Sequence, residues 1–358
     1  MKLFRVLVVN PGSTSTKVAV YDGAAVVCSG VLRHETSELG RFARILDQFE
    51  FRSRVIEEQL AEHCIDPKTL DAVIGRGGLM RPVRGGVLAV DDAMLEDLEA
   101  AVGGEHASNL GALIAAKIAR RLGIPAFVAD PIVVDELEEV ARISGMPEIQ
   151  RISIFHALNQ KATARRAARE LGRAYDDVNL IVAHMGGGIT VGAHRKGRVV
   201  DVNNGLNGDG PFAPERSGGL PVAQLVRLCF SGRYTEQEML TKITGKGGLA
   251  AYLGTSDARE VEKQIDSGDP RALLIYSAMA YQVAKEIGAM AAVLAGQVDG
   301  IVLTGGLAHD ARLVRWITSR VSFIARVFVY PGEEEMEALR DAALRVLAGE
   351  EEVVSVGG

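Results

Sequence analysis

The sequence contains one arrangement of local elements twice: a strand, a glycine-containing loop, a second strand, a tight turn and a third strand. The first copy spans residues 6–31 and the second spans residues 180–202. In each copy, runs of β-branched and apolar residues have strand length, and glycine or polar residues separate them. Two copies so far apart indicate the duplication of a whole domain, not a solenoid. Two unrelated hairpins are the alternative interpretation.

Strands and helices alternate along the rest of the chain. Short apolar runs predict strands, and apolar residues at helical spacing predict helices. The predicted strands are residues 6–9, 18–21, 25–32, 71–74, 126–129, 180–183, 189–194, 198–202, 300–303 and 328–330. The predicted helices are residues 38–62, 92–101, 107–122, 157–171, 307–320 and 334–347. This alternation predicts an α/β fold.

Length, charge and cysteine content exclude several classes of protein. The 358 residues allow about two domains of ordinary size. A formal net charge of −6 argues against a nucleic-acid-binding surface. The three cysteines are scattered and form no CxxC pair, which disfavours a disulfide framework or a zinc knuckle and fits a reducing cytoplasm.

No membrane span or targeting segment is expected. The most apolar stretch, residues 273–295, is interrupted by Lys285 and Glu286, so it predicts a buried helix. The apolar run at residues 6–9 is too short for the core of a signal peptide. We therefore expect a cytoplasmic protein that has neither a membrane nor a nucleic acid as a partner.

Four widespread active-site motifs do not occur in the sequence. It contains no GxxxxGK[ST] loop, no GxGxxG after the first strand, no HExxH and no GxSxG. A P-loop enzyme, a dinucleotide-binding enzyme, a zinc protease and an α/β-hydrolase are therefore all disfavoured.

The loop of the first repeat carries groups that bind anions. Gly12, Ser13 and Ser15 offer N–H and O–H donors to phosphate oxygens, and Lys17 adds a positive charge. Loops of this composition also occur in ordinary hairpins. A second glycine loop follows His184 at residues 186–188. A third, residues 304–307, stands between a strand and a helix, where backbone N–H groups bind anions.

Charged and imidazole side chains accompany these loops. Arg76 stands between glycines, and Arg216 lies in a long loop that is poor in apolar residues. Asp130 follows a predicted strand, and its carboxylate is of the type that holds Mg²⁺. A surface arginine and a turn-forming aspartate are the ordinary alternatives. His156 and His184 each follow apolar residues, a setting typical of core histidines, but the two arginines favour a functional pair.

Residues 10–17 resemble the opening signature of the acetate and butyrate kinases, and Pro11 with residues 14–16 is similar to the butyrate kinases in particular. The chain length is also similar to that of butyrate kinases, acetate kinases being longer. Further segments resemble the family in the same order along nearly the whole chain. They are an arginine loop at 75–78, an aspartate at a strand end in 127–131, a Phe-His segment at 154–159, a second phosphate loop at 183–188, a second arginine loop at 214–218 and an adenosine loop at 304–308.

The sequence departs from the acetate kinase pattern at three places. Gly187 stands where that family's second phosphate loop has Asn, and His309 with Asp310 replaces a Glu-Asn pair. Three successive glutamates, residues 333–335, can each be matched to the family's magnesium-associated glutamate. We favour Glu334, with Glu335 next.

The resemblance implies a fold that agrees with the repeat. It implies two duplicated α/β domains of the superfamily that contains actin, the sugar kinases and the heat-shock chaperone ATPases, with a nucleotide cleft between the domains. Residues 1–153 together with 333–358 would form the N-terminal domain, because the last helix crosses back, and residues 154–332 would form the nucleotide-binding domain. A homodimer or a higher homo-oligomer is also implied.

The resemblance further implies a reaction: ATP, with Mg²⁺, phosphorylates a short-chain carboxylate by direct, reversible in-line transfer. Butyrate or a branched four- to five-carbon acid is the expected substrate, and ADP and an acyl phosphate are the products. A carboxylate is already nucleophilic at pH 7, so such an enzyme needs alignment and charge neutralisation and no general base.

Site residues follow from the same resemblance. The implied catalytic residues are Asn10, Arg76, Asp130, His184 and Arg216. The implied nucleotide and phosphate contacts are Gly12, Ser13, Ser15, Lys17, His156, Gly186, Gly187, Gly188, Gly305 and Gly306. The implied metal-associated residues are Asp130 and Glu334. In these roles Arg76 orients the carboxylate, while Arg216 and His184 stabilise the phosphoryl oxygens.

Three alternatives stay open. An acetate or propionate kinase differs only in its acyl pocket. A sugar kinase on the same fold would need a carboxylate base near its alcohol acceptor. A non-enzymatic, ATP-gated module would need a large binding insertion, and it would leave Arg76 and Arg216 without a task.

Overall fold

The computed structural model describes residues 3–356 and divides them into two compact units. The first unit contains the described residues up to Val134 and those from Glu334 onward, and the second unit is Asp135–Glu333.

Residues 135–153, which the sequence analysis placed in the first domain, lie with the second unit. The backbone N–H of Glu138 donates to the carbonyl of Val200 at 3.0 Å. Arg151 forms an ion pair with Asp201 at 2.9 Å. These contacts join the segment to the last strand of the second repeat, which no local sequence pattern could indicate.

Strands and helices alternate as an α/β fold requires. Over residues 3–356 the strands are β1 (Arg5–Pro11), β2 (Ser15–Asp22), β3 (Ala25–Arg33), β4 (Ala72–Arg76), β5 (Val87–Ala89), β6 (Ala126–Ala129), β7 (Asn179–Met185), β8 (Ile189–Arg195), β9 (Arg198–Val202), β10 (Gly300–Gly305), β11 (Val327–Pro331) and β12 (Val353–Val354). The helices are α1 (Thr36–Leu39), α2 (Phe49–Glu62), α3 (Asp92–Glu99), α4 (Asn109–Leu122), α5 (Glu139–Arg142), α6 (Ala157–Glu170), α7 (Val222–Cys229), α8 (Glu236–Thr244), α9 (Gly248–Leu253), α10 (Ala258–Asp266), α11 (Pro270–Val293), α12 (Ala311–Val321) and α13 (Glu335–Leu347).

The two repeats form hairpins of the same design. In the first unit the strand order is β12-β5-β6-β4-β1-β2-β3, and in the second it is β11-β10-β7-β8-β9. β1 pairs antiparallel with β2 and parallel with β4, and β7 pairs antiparallel with β8 and parallel with β10. The pairing of β2 with β3 and that of β8 with β9 each contain one register shift. The predicted duplication is confirmed.

One predicted helix is wrong in part. The apolar spacing predicts one continuous helix over residues 38–62, but α1 ends at Leu39 and α2 begins at Phe49. Gly40 is a poor helix former. The carboxylate of Asp47 accepts the backbone N–H of Arg44 at 2.9 Å, which gives the backbone a local alternative to helix.

Each unit has its own apolar core. In the first unit, α13 packs on β1 and β4 with Leu339, Ala342 and Ala343 buried. In the second unit, α11 packs on β7 and β8 and buries Tyr276 and Val283 completely. The apolar stretch at 273–295 is therefore a helix, as predicted, but only one face of it is buried, since Leu274 is 65% exposed and Tyr281 is 48% exposed. None of the helices within residues 3–356 has the length and hydropathy that a membrane crossing requires.

Candidate active site

The loop between β1 and β2 is a tight turn with an exposed tip. The backbone N–H of Gly12 donates to the carbonyl of Ser15 at 2.7 Å and closes the turn. Ser13 and Thr14 are exposed at its tip, and Ser15 is partly buried. Lys17 is exposed on β2, directly opposite the buried Asn10 of β1. The hydroxyls and the cation predicted to bind phosphate therefore lie at the carboxyl end of β1.

Asn10, Arg76 and Glu335 meet at the ends of two neighbouring parallel strands; we call them the Arg76 cluster. Arg76 ends β4, and its two terminal nitrogens each lie 2.9 Å from an oxygen of Glu335. The side-chain amide of Asn10 donates to Glu335 Oε2 at 2.8 Å. Arg76 also donates to Asn10 Oδ1 at 3.4 Å. The cluster therefore places one cation, one carboxylate and one amide in mutual contact.

The three successive glutamates have different surroundings. Glu334 is exposed, with a left-handed φ of 38° at the start of α13. Glu335 lies in the Arg76 cluster. Glu333 belongs to the second unit, where its Oε1 is 3.6 Å from His184 Nε2. Glu334 is the glutamate that the resemblance favours, but Asn10 and Arg76 bind Glu335.

Asp130 is buried at the end of β6 and has a left-handed φ of 38°. Its Oδ1 accepts the backbone N–H of Gly86 at 2.8 Å, and its own N–H donates to the Gly86 carbonyl at 3.0 Å. A strained, buried aspartate at a strand end is typical of a functional position.

In the second unit, four residues surround one histidine, and the five together form what we call the His184 cluster: Asn159, His156, His184, Thr190 and Glu333. His184 is only 1% exposed at the end of β7. Asn159 donates to the Glu333 carbonyl through Nδ2 at 2.9 Å, so its Oδ1 faces His184 Nδ1 at 2.8 Å. This pattern assigns the proton to His184 Nδ1 and turns Nε2 toward the Glu333 carboxylate.

His156 stacks on His184, with ring centroids 3.8 Å apart and planes at 11°. Its Nδ1 lies 2.9 Å from the hydroxyl of Thr190, which also accepts a hydrogen bond from Gln160 at 2.8 Å. His156 thus supports the ring of His184 from a fixed position. The predicted histidine pair is one physical unit.

The second glycine loop packs against the second predicted arginine. A Cβ on Gly188 would overlap the guanidinium of Arg216, so only glycine permits this approach. Arg216 donates to the carbonyl of Gly205. Burial lowers the pKa of Arg216, and the neighbouring Glu215 carboxylate opposes that shift. The loop at residues 186–188 thus lies between His184, two positions before it in the chain, and Arg216.

The third glycine loop adjoins the end of β7. Gly305 has a left-handed φ of 88°, and a Cβ there would overlap the backbone of Met185. Gly306 begins a 3₁₀ turn, Gly306–His309. Asp310, one of the departures from the acetate kinase pattern, caps α12 and accepts the hydroxyl of Tyr276 at 2.7 Å.

Of the predicted residues, the structure brings Asn10 and Arg76 together in the Arg76 cluster, and His156 and His184 together in the His184 cluster. Asp130, Arg216 and Glu334 lie in neither cluster, and three residues of the clusters carried no role in the sequence-based prediction. Asn159 lies in the Phe-His segment at 154–159 but was given no role, and Thr190 carries no motif of its own. The importance of both comes from contact with the two histidines. Glu333 lay in the run of glutamates, but nothing local indicated that it contacts His184.

Comparison with solved structures identifies the fold. The acetate kinase of Porphyromonas gingivalis is similar with a TM-score of 0.77 and 21% identity, over 96% of this chain and 100% of that chain. A propionate kinase from Francisella tularensis subsp. tularensis SCHU S4 is similar with a TM-score of 0.71 and 18% identity, over 95% and 99%. The ROK hexokinase of Thermus thermophilus reaches a TM-score of 0.50 at 17% identity, over 97% and 100%. The protein therefore has the acetate kinase fold.

The family follows from the sequence model of the acetokinase family, which matches residues 148–326, half of the chain. The chain belongs to the acetokinase family, as the resemblance indicated.

Proposed function

We propose that this protein is a carboxylate kinase that transfers the terminal phosphoryl group of ATP to a short-chain carboxylate, reversibly, giving ADP and an acyl phosphate. The observation that carries the proposal is the packing of Arg216 and His184 around the glycine loop at 186–188. A cation and an imidazole beside such a loop can stabilise the negative oxygens of a phosphoryl group in the transition state of its transfer.

The acceptor chemistry explains what the site contains. A carboxylate oxygen attacks phosphorus without first losing a proton, so the enzyme can work by positioning and charge neutralisation. Arg76 orients the acid with its flat guanidinium, and Arg216 and His184 stabilise the equatorial phosphoryl oxygens. Asn159 accepts a hydrogen bond from His184 Nδ1–H, so Nε2 is the nitrogen left to contact a phosphoryl oxygen, and it donates there when His184 is an imidazolium protonated on both nitrogens.

The glycine loops and their neighbours bind the nucleotide in this proposal. Gly12, Ser13, Ser15 and Lys17 contact phosphate oxygens through N–H, O–H and ammonium groups. The N–H groups of residues 186–188 do the same, and Gly305 with Gly306 lies against the adenosine. His156 supports the ring of His184 beside the phosphates.

The carboxylates of the first unit fit Mg²⁺. Asp130 and Glu335 offer oxygen donors, and no group of three or more His, Cys, Asp or Glu within residues 3–356 could hold a metal on its own. Mg²⁺ commonly takes one or two protein carboxylates and completes its shell with water and phosphate oxygens. We therefore name Glu335 beside Asp130, in place of Glu334. Bound Mg²⁺ would neutralise charge on the transferred group.

The proposed acid is butyrate or a branched acid of four to five carbons. This choice of substrate is supported by the sequence of the first loop, in which Pro11 and residues 14–16 are similar to butyrate kinases. Acetate and propionate remain weaker substrates in this proposal, because a larger apolar pocket holds them less well.

A hydroxylamine assay tests the proposed function. Acyl phosphates react with hydroxylamine to give a coloured hydroxamate, whereas a sugar phosphate does not. The purified protein with ATP, Mg²⁺ and butyrate should form hydroxamate at a rate proportional to enzyme. ADP release without hydroxamate in the presence of sugars would instead favour a sugar kinase, and no turnover with any acceptor would favour a non-enzymatic module.

We also propose a cytoplasmic homo-oligomer. The cysteines Cys28, Cys64 and Cys229 are all free thiols, which supports a reducing compartment. α7 carries no buried residue, and Val222, Val226 and Phe230 on or beside it are strongly exposed. A second copy covering this helix would bury them. Light scattering should give the mass of a dimer or larger, and Phe230→Ser should lower it while Phe323→Ser, at an equally exposed phenylalanine, should not.

A further inference from the structure

A completely buried arginine lies beneath the first loop. Arg52 of α2 is 0% exposed and is the largest of the fully buried side chains. Its guanidinium donates to three loop carbonyls and one loop hydroxyl. They are Gly12 O at 2.8 Å, Ser13 O at 3.1 Å, Ser15 O at 3.1 Å and Thr16 Oγ1 at 3.1 Å. The remaining donors go to Gln48 Oε1 at 3.0 and 2.9 Å.

Every one of these acceptors is a neutral oxygen. Among the described residues, Arg52 has no carboxylate partner, unlike Arg5, which pairs with Asp22 at 2.6 Å on the same sheet. Burial lowers the pKa of Arg52 to about 10, so the guanidinium stays charged at neutral pH. A buried charge without a counter-charge is unfavourable and needs a compensating interaction.

The other titratable group at this position does not provide that compensation. His34 of the neighbouring segment contacts the Thr16 hydroxyl at 2.9 Å. Burial and the charge of Arg52 lower the pKa of His34, against partial opposition from the Glu38 carboxylate. The pKa of Arg52 itself is lowered by burial, with no contribution from Glu38. The loop is thus held from behind by a cation that has hydrogen bonds but, within residues 3–356, no carboxylate partner, and Ser13 and Thr14 are exposed at the loop tip.

We propose that Arg52 is a positioning residue for phosphate: it fixes the backbone of residues 12–16 and supplies the positive charge whose counter-charge is a phosphate group bound at the loop tip. This inference rests on the proposed function, since it assigns the phosphate of the kinase reaction to this loop. A neutral side chain could satisfy the same carbonyls. The hydrogen bonds of Arg52 to neutral oxygens offset part of the cost of the buried guanidinium, and an anion bound at the loop tip would offset more of it.

The test measures binding of inorganic tripolyphosphate to the full chain by calorimetry at low salt. Arg52→Met removes charge and donors, Arg52→Lys keeps the charge, and Arg54→Met, at an exposed arginine on the same helix, is the control. Arg52→Met should weaken tripolyphosphate binding on the order of 10- to 100-fold, Arg52→Lys by less, and Arg54→Met should match the parent.

A pH series separates the charge from the shape of the loop. A buried lysine loses its proton at lower pH than an arginine, so the affinity of Arg52→Lys should fall relative to that of the parent, measured at the same pH, between pH 7 and 9. If Arg52→Met does not fold, the pH series of Arg52→Lys by itself tests whether the charge of residue 52 contributes to phosphate binding. Parental affinity in a folded Arg52→Met, or a flat pH series for Arg52→Lys, overturns the inference. A parent that binds no tripolyphosphate also overturns it.

The two failures are distinguishable. A parent that forms no hydroxamate from any carboxylate disproves the proposed function, whatever tripolyphosphate does. A parent that forms hydroxamate while the Arg52 variants bind tripolyphosphate as tightly as it does disproves only the role of Arg52.

Discussion

The guanidinium of Arg76 forms a bidentate ion pair with the carboxylate of Glu335, 259 positions later in the sequence, through two N···O contacts of 2.9 Å. The guanidinium of Arg76, which in the proposed function binds the substrate acid, is therefore already paired with a carboxylate of the protein itself. Asn10 holds the same glutamate at 2.8 Å. Arg76 thus has two anionic partners in the proposed mechanism, Glu335 and the acid, and its planar geometry suits both.

Replacing Arg76 should abolish most of the activity. Arg76→Ala should lower kcat/KM for the acid on the order of 10²- to 10⁴-fold, the typical cost of removing a charged transition-state contact. Arg76→Lys should recover little of this, because an ammonium cannot form the bidentate contact. Steady-state kinetics with butyrate and ATP measure both effects.

Glu335→Gln is the control for the Arg76 variants, since it breaks the ion pair and leaves the arginine. It should lower kcat while KM for the acid stays equal or falls, because the competing anion is gone. If Glu335→Gln raised KM for the acid as much as Arg76→Ala does, Arg76 would act only through its pair with Glu335.

A methyl group on the second glycine loop should disable Arg216. Gly188→Ala places a Cβ where the Arg216 guanidinium lies, so the arginine must move. We expect Gly188→Ala to lose at least as much kcat as Arg216→Ala, roughly 10²-fold or more. Gly172→Ala, at a glycine with no heavy atom within 4 Å of the added Cβ and a left-handed φ of 71°, controls for a general loss of stability. Activity of Gly188→Ala near that of the parent would contradict the assignment of Arg216.

Removing the amide of Asn159 should impair His184 without affecting nucleotide binding. Asn159→Leu leaves His184 Nδ1 without its acceptor, and kcat should fall about 10- to 100-fold, the usual cost of removing a group that orients a site histidine. KM for ATP should change little. Thr163→Val, a nearly isosteric change one turn later on α6, should keep kcat. A KM effect without a kcat effect would assign Asn159 to nucleotide binding.

Glu286 of α11 should make the second unit less stable as pH rises to neutrality. Burial, with the negative charges of Asp209 and Asp201, raises the pKa of Glu286 to about 7, against partial opposition from Arg151 and Lys285. Its ordinary pKa is 4.5. Between these values the folded chain binds more protons than the unfolded chain, so stability falls as pH rises from about 4.5 to about 7 and is level above.

The matching measurement is the Tm of Glu286→Gln at pH 5 and pH 8. The variant should be more stable than the parent at pH 8 and nearly equal at pH 5. Glu236→Gln, at an exposed glutamate on α8, should follow the parent at both values. A gain for Glu286→Gln at pH 5 as large as at pH 8 would show that its carboxyl is not the titrating group.

The choice of acid should follow chain length. Each methylene buried in an apolar pocket contributes about 0.8 kcal/mol, so two extra methylenes should favour butyrate over acetate on the order of 10-fold in kcat/KM. Acetate should show a raised KM and measurable turnover, and isobutyrate should compete with butyrate. Measuring kcat/KM for acetate, propionate, butyrate, isobutyrate and valerate checks this. A maximum at acetate would refute the butyrate preference and leave the carboxylate kinase proposal intact.

The sequence by itself determined the features that local patterns encode. The repeat, the strands β1 and β7 and the glycine loops that follow them were all predictable, because β-branched runs and glycine turns act over a few residues. Asn10, Arg76 and His184 were recognisable as strand-end residues for the same reason. The break at Gly40 was also local, but the apolar spacing on either side concealed it.

Only the tertiary structure decided which groups meet. Three identical glutamates stand in a row, and a left-handed φ at Glu334 sends Glu333 to His184 and Glu335 to Arg76. Arg52 reads in the sequence as one of many helical arginines, and its burial follows from the packing of α2 against the first loop. Contacts between residues tens to hundreds of positions apart depend on how sheets and helices assemble, and no local pattern carries that information.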